Sequence, residues 1–213
     1  VVNTVYCGDK TDIWLSIFND HGLETFIAFF ILFAGIVTIL FSFALGIVYR
    51  TNFDMEYLGW GMVMGSVWMI GESKMRQLLV SNASSLSSLC FVMIMLSPIP
   101  VVLYADSIQK HIHHKLYACI GWIAIFNFTV CSVLAITRKA DYIETLPAGQ
   151  IILACTLLIV FIQLFRYMKT TSNGADHLLL LGLMFSILCI LIEVVSMYFV
   201  VSISGLFIGI GML

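Results

Sequence analysis

The sequence predicts an all-α fold, a polytopic membrane helical bundle with six complete transmembrane helices and a truncated seventh. Three observations carry this. Of the 213 residues, 61% are hydrophobic and only 10% charged, against about 45–50% and about 25% in an ordinary soluble domain. Apolar runs recur at the length of about 20 residues that crosses roughly 30 Å of hydrocarbon. The runs are continuous rather than alternating, which favours helices over the strands of a closed barrel, the other structure that satisfies its own backbone in lipid.

The expected spans are 26 to 48, 57 to 77, 86 to 105, 116 to 137, 147 to 167 and 178 to 199, with a seventh starting near Ile203 and stopping at Leu213. The breaks at Tyr49 to Glu56, Asp106 to Lys115 and Arg138 to Thr145 are too short for folded domains. Two segments follow: 1–24, a polar extracytoplasmic remnant with Asp9, Lys10, Asp12 and Asp20, and 25–213, the transmembrane domain. The start has neither an initiator Met nor a signal-peptide pattern, so the chain reads as a fragment at both ends. No internal repeat points to an inverted-repeat transporter.

Net charge is −2, which leaves no basic face for nucleic-acid phosphates. Five of six cysteines (Cys90, Cys119, Cys131, Cys155 and Cys189) lie in apolar stretches without a CxxC pair and read as small hydrophobes. Lys and Arg divide evenly between alternate loops, so the positive-inside rule gives no direction.

Charge inside a span is costly, about 2.5–3.5 kcal/mol at a helix centre, so it marks candidate sites. Trp68-Met-Ile-Gly-Glu72-Ser-Lys74-Met-Arg76 brings Glu72 and Arg76 to an i,i+4 spacing at the end of the second run. Snorkelling into the headgroups is the plainer account of these charges. Glu193, after fifteen mostly apolar residues, falls in the same outer half. A lone carboxylate there wants a cation, and Lys74 or Arg76 is within reach. Together Glu72, Lys74, Arg76 and Glu193 are candidates for sensing a small polar ligand or a proton.

Pro98 and Pro100 predict a kink in the third run, static or hinged. Gly61 with Gly65 and Gly205 with Gly209 form GxxxG patterns, read as helix packing within the bundle, with a homodimer as the alternative. His111, His113 and His114 have only Asp106 nearby as a carboxylate, fewer ligands than zinc usually takes with its supports. That segment reads as a solvated basic loop, with no metal and no cofactor expected. No Ser-His-Asp set, paired membrane aspartates or HExxH helix occurs, so no enzyme is expected.

Retinal-binding opsins and animal-type G-protein-coupled receptors fit poorly. Residues 201 to 213 hold no Schiff-base Lys, Ala105-Asp-Ser-Ile108 replaces a DRY-like triplet, and no cysteine between Arg138 and Pro147 could bridge to Cys90. Tyr57-Leu-Gly-Trp60, Trp68-Met-Ile-Gly-Glu72-Ser, Gln77, Asn82, and Met95-Leu-Ser-Pro98-Ile-Pro100 followed by Tyr104 and Asp106 instead resemble the membrane region of clostridial sensors. Those proteins are similar to seven-transmembrane receptors with diverse intracellular signalling modules, often joined to a GGDEF diguanylate cyclase.

The resemblance implies a bacterial cytoplasmic membrane, an outside N terminus and a fused C-terminal cytoplasmic signalling domain. It supplies no ligand. The expected role is a sensory module relaying an extracytoplasmic or intramembrane stimulus, with the lipid bilayer and an unknown small ligand as partners. The alternative is a small transporter or channel, whose intramembrane charges would line a pathway.

Overall fold

The computed structural model describes residues 9–49, 54–73, 83–170 and 174–196. Among them every regular element is an α-helix: α1 (Lys10–Tyr49), α2 (Met55–Glu72), α3 (Ala83–Leu96), α4 (Pro98–Ile108), α5 (His114–Ile136), α6 (Tyr142–Thr170) and α7 (Gly174–Ser196). Among the described residues, five stretches are long and apolar enough to cross a membrane: Gly22–Tyr49, Leu86–Ile108, His114–Ile136, Glu144–Lys169 and His177–Val194. The chain is a multi-pass membrane protein.

Five of the six expected complete spans therefore have a matching stretch among the described residues. The exception is the run expected at 57 to 77. Its helix, α2, ends at Glu72, carries a second acid, Glu56, in its first turn, and dilutes its apolar residues with glycine, Tyr57 and Trp60. Residues 74–82, where the rest of that run lies, and the whole of the expected seventh helix fall outside the described residues.

Helix α1 has 40 residues, about 60 Å at 1.5 Å per residue, twice the hydrocarbon thickness. The segment expected as a polar remnant is, from Lys10, helical and continuous with the first span. Thr25, Ala28, Ile31, Gly35 and Ser42 are buried, a stripe at helical spacing. Phe26, Phe30, Phe33, Leu40 and Phe41 are exposed on the other faces. So much exposed apolar surface suits lipid and not water.

The buried stripe packs on α2, which runs antiparallel to it. One turn into α2, Gly59 meets Gly35, where a Cβ on Gly59 would stand 2.6 Å from Ile39 Cγ1 and 3.0 Å from the Gly35 carbonyl oxygen. Farther along, the Thr25 and Ser73 hydroxyls hydrogen-bond at 2.9 Å. Close backbone approach and hydroxyl pairing are the means of helix association left when lipid is as apolar as the side chains.

The third run breaks at Ser97, as its prolines predict. Pro98 has no N–H to give the carbonyl of Ile94, and the Ser97 hydroxyl donates to that oxygen instead, at 2.8 Å. Ser97 keeps helical angles, φ −57° and ψ −27°, so α3 and α4 remain one span, Leu86–Ile108, interrupted at Ser97. Elsewhere the buried hydroxyls of Ser66 and Thr156 return to carbonyls of their own helices, Val63 and Ile152, both at 2.8 Å.

Helix α2 packs on α3 and α4, α3 on α6, α4 on α5, and α6 on α5 and α7. Buried Met95, Val102, Tyr117, Leu157, Leu164 and Ile187 fill the interior. Alternating crossings put the α4–α5 turn and the start of α7 at one end of the bundle. The α5–α6 turn and the end of α7 lie at the other.

Candidate functional site

A cavity of about 190 Å³ lies among α2, the α3–α4 kink, α6 and α7. Apolar cavities of about 150 Å³ already hold benzene. Its wall runs along α2 from Tyr57 to Trp68, about 16 Å by helical rise. Ser97 and Pro100 face it from the kink, and Glu193 from α7. Glu193 is 4% exposed and is the single charged side chain among the described lining residues.

Several positions singled out in the sequence meet here. Glu193 shares the cavity with Trp68, one turn before Glu72, in agreement with its placement in the same half of the bundle as the end of α2. Glu72 closes α2; Lys74 and Arg76 lie outside the described residues, so the expected acid–base cluster is represented by Glu193. Pro100 lines the cavity, and Pro98 is buried beside it at the first position of α4.

Gly61 and Gly65, expected as helix-packing positions, face the cavity. A Cβ on Gly61 would meet nothing within 4 Å. The close helix contacts belong to Gly59 and to Gly71, whose Cβ would fall 1.9 Å from Cys90 Sγ. Small-residue spacing identifies a bare helix face but not what covers it. Gly205 and Gly209 lie outside the described residues.

A second polar region stands at the opposite end, on the turn joining α4 to α5. Asp106, 3% exposed, is in the last turn of α4. Its Oδ2 lies 2.8 Å from His111 Nδ1 and 2.7 Å from His114 Nδ1. A Schellman motif ends α4: the N–H of His111 bonds the carbonyl of Asp106, and that of Lys110 the carbonyl of Ser107, both at 2.9 Å. Lys110 and His111 both have positive φ, 52° and 60°, at about 1–2 kcal/mol per non-glycine residue. This doubled left-handed turn bends the chain back so that both imidazoles reach one carboxylate.

The hydrogen bond and charge of Asp106 hold the His111 imidazole above its usual pKa, against a smaller opposing effect of burial. Beneath the turn, Gln109 is fully buried and its Nε2 donates to the Tyr117 hydroxyl at 2.8 Å. The Ser107 hydroxyl donates to Asp54 on the neighbouring α1–α2 connection. Asp106 Oδ1 is buried with no hydrogen-bond partner among the described residues. Such an atom ordinarily costs about 1–3 kcal/mol.

In sequence Asp106 and the histidines read as a solvated loop; the consecutive left-handed residues that bring them together are not glycine and carry no sequence signal. Comparison with protein-family models, curated proteins and solved structures finds no match.

Proposed function

We propose that this chain is a membrane-embedded sensory module whose cavity receives a small, largely apolar molecule bearing one cationic or hydrogen-bond-donating group. The supporting observation is the convergence of Glu193 with the Ser97–Pro100 kink on one cavity. A ligand filling that space would touch α2, both arms of the kinked span, α6 and α7 together. Its differential contacts with two kink angles would bias their equilibrium. In this reading the run that begins near Ile203, outside the described residues, leads toward a cytoplasmic effector of the GGDEF diguanylate cyclase kind, and the N terminus is outside a bacterial cytoplasmic membrane.

The transport alternative is less well supported. A conduction path needs polar groups along its length, whereas this lining is apolar apart from Glu193 and a few hydroxyls.

The test is Glu193→Gln in the full-length protein, which keeps size and burial but removes the charge. Signal output should change severalfold while membrane level and helicity stay at those of the parent. Unchanged output at a normal membrane level would refute the reading.

A further inference from the structure

The turn at Asp106 presents an electrostatic problem that two histidines only partly answer. A carboxylate in the last turn of a helix sits at the negative end of the helix dipole, and this one is 3% exposed. The Asp54 carboxylate, held by the Ser107 hydroxyl, is near enough for its charge to act on His111 as well. Two acids and a helix C-terminus thus converge where the facing groups are imidazoles, which carry charge only when protonated. The arrangement calls for a cation.

We propose that Asp106, His111 and His114 form a binding site for a divalent first-row transition-metal ion, with zinc as its archetype. One ligand atom from each residue lies within 4.8 Å of the others. Ligand bonds of about 2.0–2.2 Å in a tetrahedron place donors about 3.4 Å apart, against the 2.7 and 2.8 Å between each Nδ1 and the shared oxygen. The imidazoles must move their nitrogens away from the shared oxygen by roughly half an ångström. They are free to do so, with 65% and 66% of their side-chain surfaces exposed.

The donor set decides the class of ion. Two imidazole nitrogens and one carboxylate suit zinc, cobalt, nickel or copper, whereas calcium and magnesium take oxygen ligands in larger number. Three protein ligands on the rim of a turn leave a fourth position open to solvent. Asp106 Oδ1, buried and without a partner among the described residues, belongs to the ligating carboxylate and lies ready to join the coordination. Lys110 and His111 are held in left-handed conformations by the Schellman turn, so part of the site's geometry is set before metal arrives.

This site is at the other end of the bundle from Glu193, and its test reads metal directly, independent of any signal. The full-length protein, purified in detergent and freed of metal with a chelator, is equilibrated with Zn2+ and, separately, with Co2+. One equivalent of Zn2+ should bind, and Co2+ should give the visible absorption of a tetrahedral site. His111→Ala and His114→Ala should each weaken Zn2+ at least about tenfold, while His113→Ala, three bonds along the same exposed turn, should leave affinity unchanged. Both substituted histidines are exposed, so helicity should match the parent. Failure to bind one equivalent would overturn the proposal, as would parental affinity in the His111→Ala/His114→Ala double variant or an equal loss in His113→Ala.

Discussion

The cavity at Glu193 and the turn at Asp106 each bury a carboxylate, to 4% and 3% exposure, but they do so in opposite settings. Glu193 sits on regular helix, three residues before the described part of α7 ends, beside an apolar cavity. Asp106 sits where a helix ends, wrapped by a strained turn that carries nitrogen donors to it. The first arrangement leaves room for a molecule and the second for an ion. In a bilayer protein, regular helix supplies cavities between spans, while side-chain convergence needs irregular backbone, which is tolerated only at the ends or where protein covers it.

The largest effect that separates the two regions is stabilisation by metal. A ligand that binds only the folded state contributes about 2.7 kcal/mol at a hundred times its Kd. Detergent-solubilised protein at that Zn2+ concentration should resist unfolding by this amount, measured as loss of helicity with denaturant. EDTA should abolish the increment and the His111→Ala/His114→Ala double variant should lack it. Glu193→Gln should retain it in full. Loss of the increment in Glu193→Gln would join the two regions into one system and break the comparison.

This contrast also explains what could be read from the sequence. Five spans, the break before Pro98 and the position of Glu193 in an apolar run are all visible in one dimension, because each depends on composition within a single run. The described part of the second run is less apolar than the other five because α2 holds two glutamates within 18 residues, which offset its valine and isoleucine. That Gly61 faces the cavity is not legible, because spacing in one helix cannot report its neighbour. The Asp106 site was invisible for a different reason: His111 and Asp106 meet only through positive φ at Lys110 and His111, which no residue type there announces.

An effect of intermediate size tests the cavity as real space. Gly59 and Gly61 are two residues apart on α2 but face different surroundings. A Leu at 59 must displace Ile39 or the Gly35 backbone of α1, whereas a Leu at 61 enters the cavity. Gly59→Leu should destabilise by about 1–3 kcal/mol through overpacking. Gly61→Leu should be neutral or stabilising by up to about 1 kcal/mol, the helix-propensity gain over glycine, while changing signal output by filling the proposed ligand space. Equal destabilisation by both would mean that the face around Gly61 is packed, and the sensory reading would lose its cavity.

The smallest expected effect is the coupling between the two ends. Sites without shared partners and more than about 7–10 Å apart add within about 0.3–0.5 kcal/mol. Here the His turn contacts α4 and α5 at one end, and Glu193 lines the wall of α7 toward the other. A cycle of Glu193→Gln, His111→Ala/His114→Ala and all three together, measured in metal-free protein, should therefore close within that margin. The same cycle with saturating Zn2+ is the sharper measurement. Metal pins the end of α4, whose other end is the Ser97–Pro100 kink on the cavity wall. If the kinked span moves as a rigid arm, the coupling should grow beyond about 0.5 kcal/mol only when metal is bound. If it stays within the margin in both conditions, the turn and the cavity act independently, and the ion serves as a local clip on the α4–α5 connection.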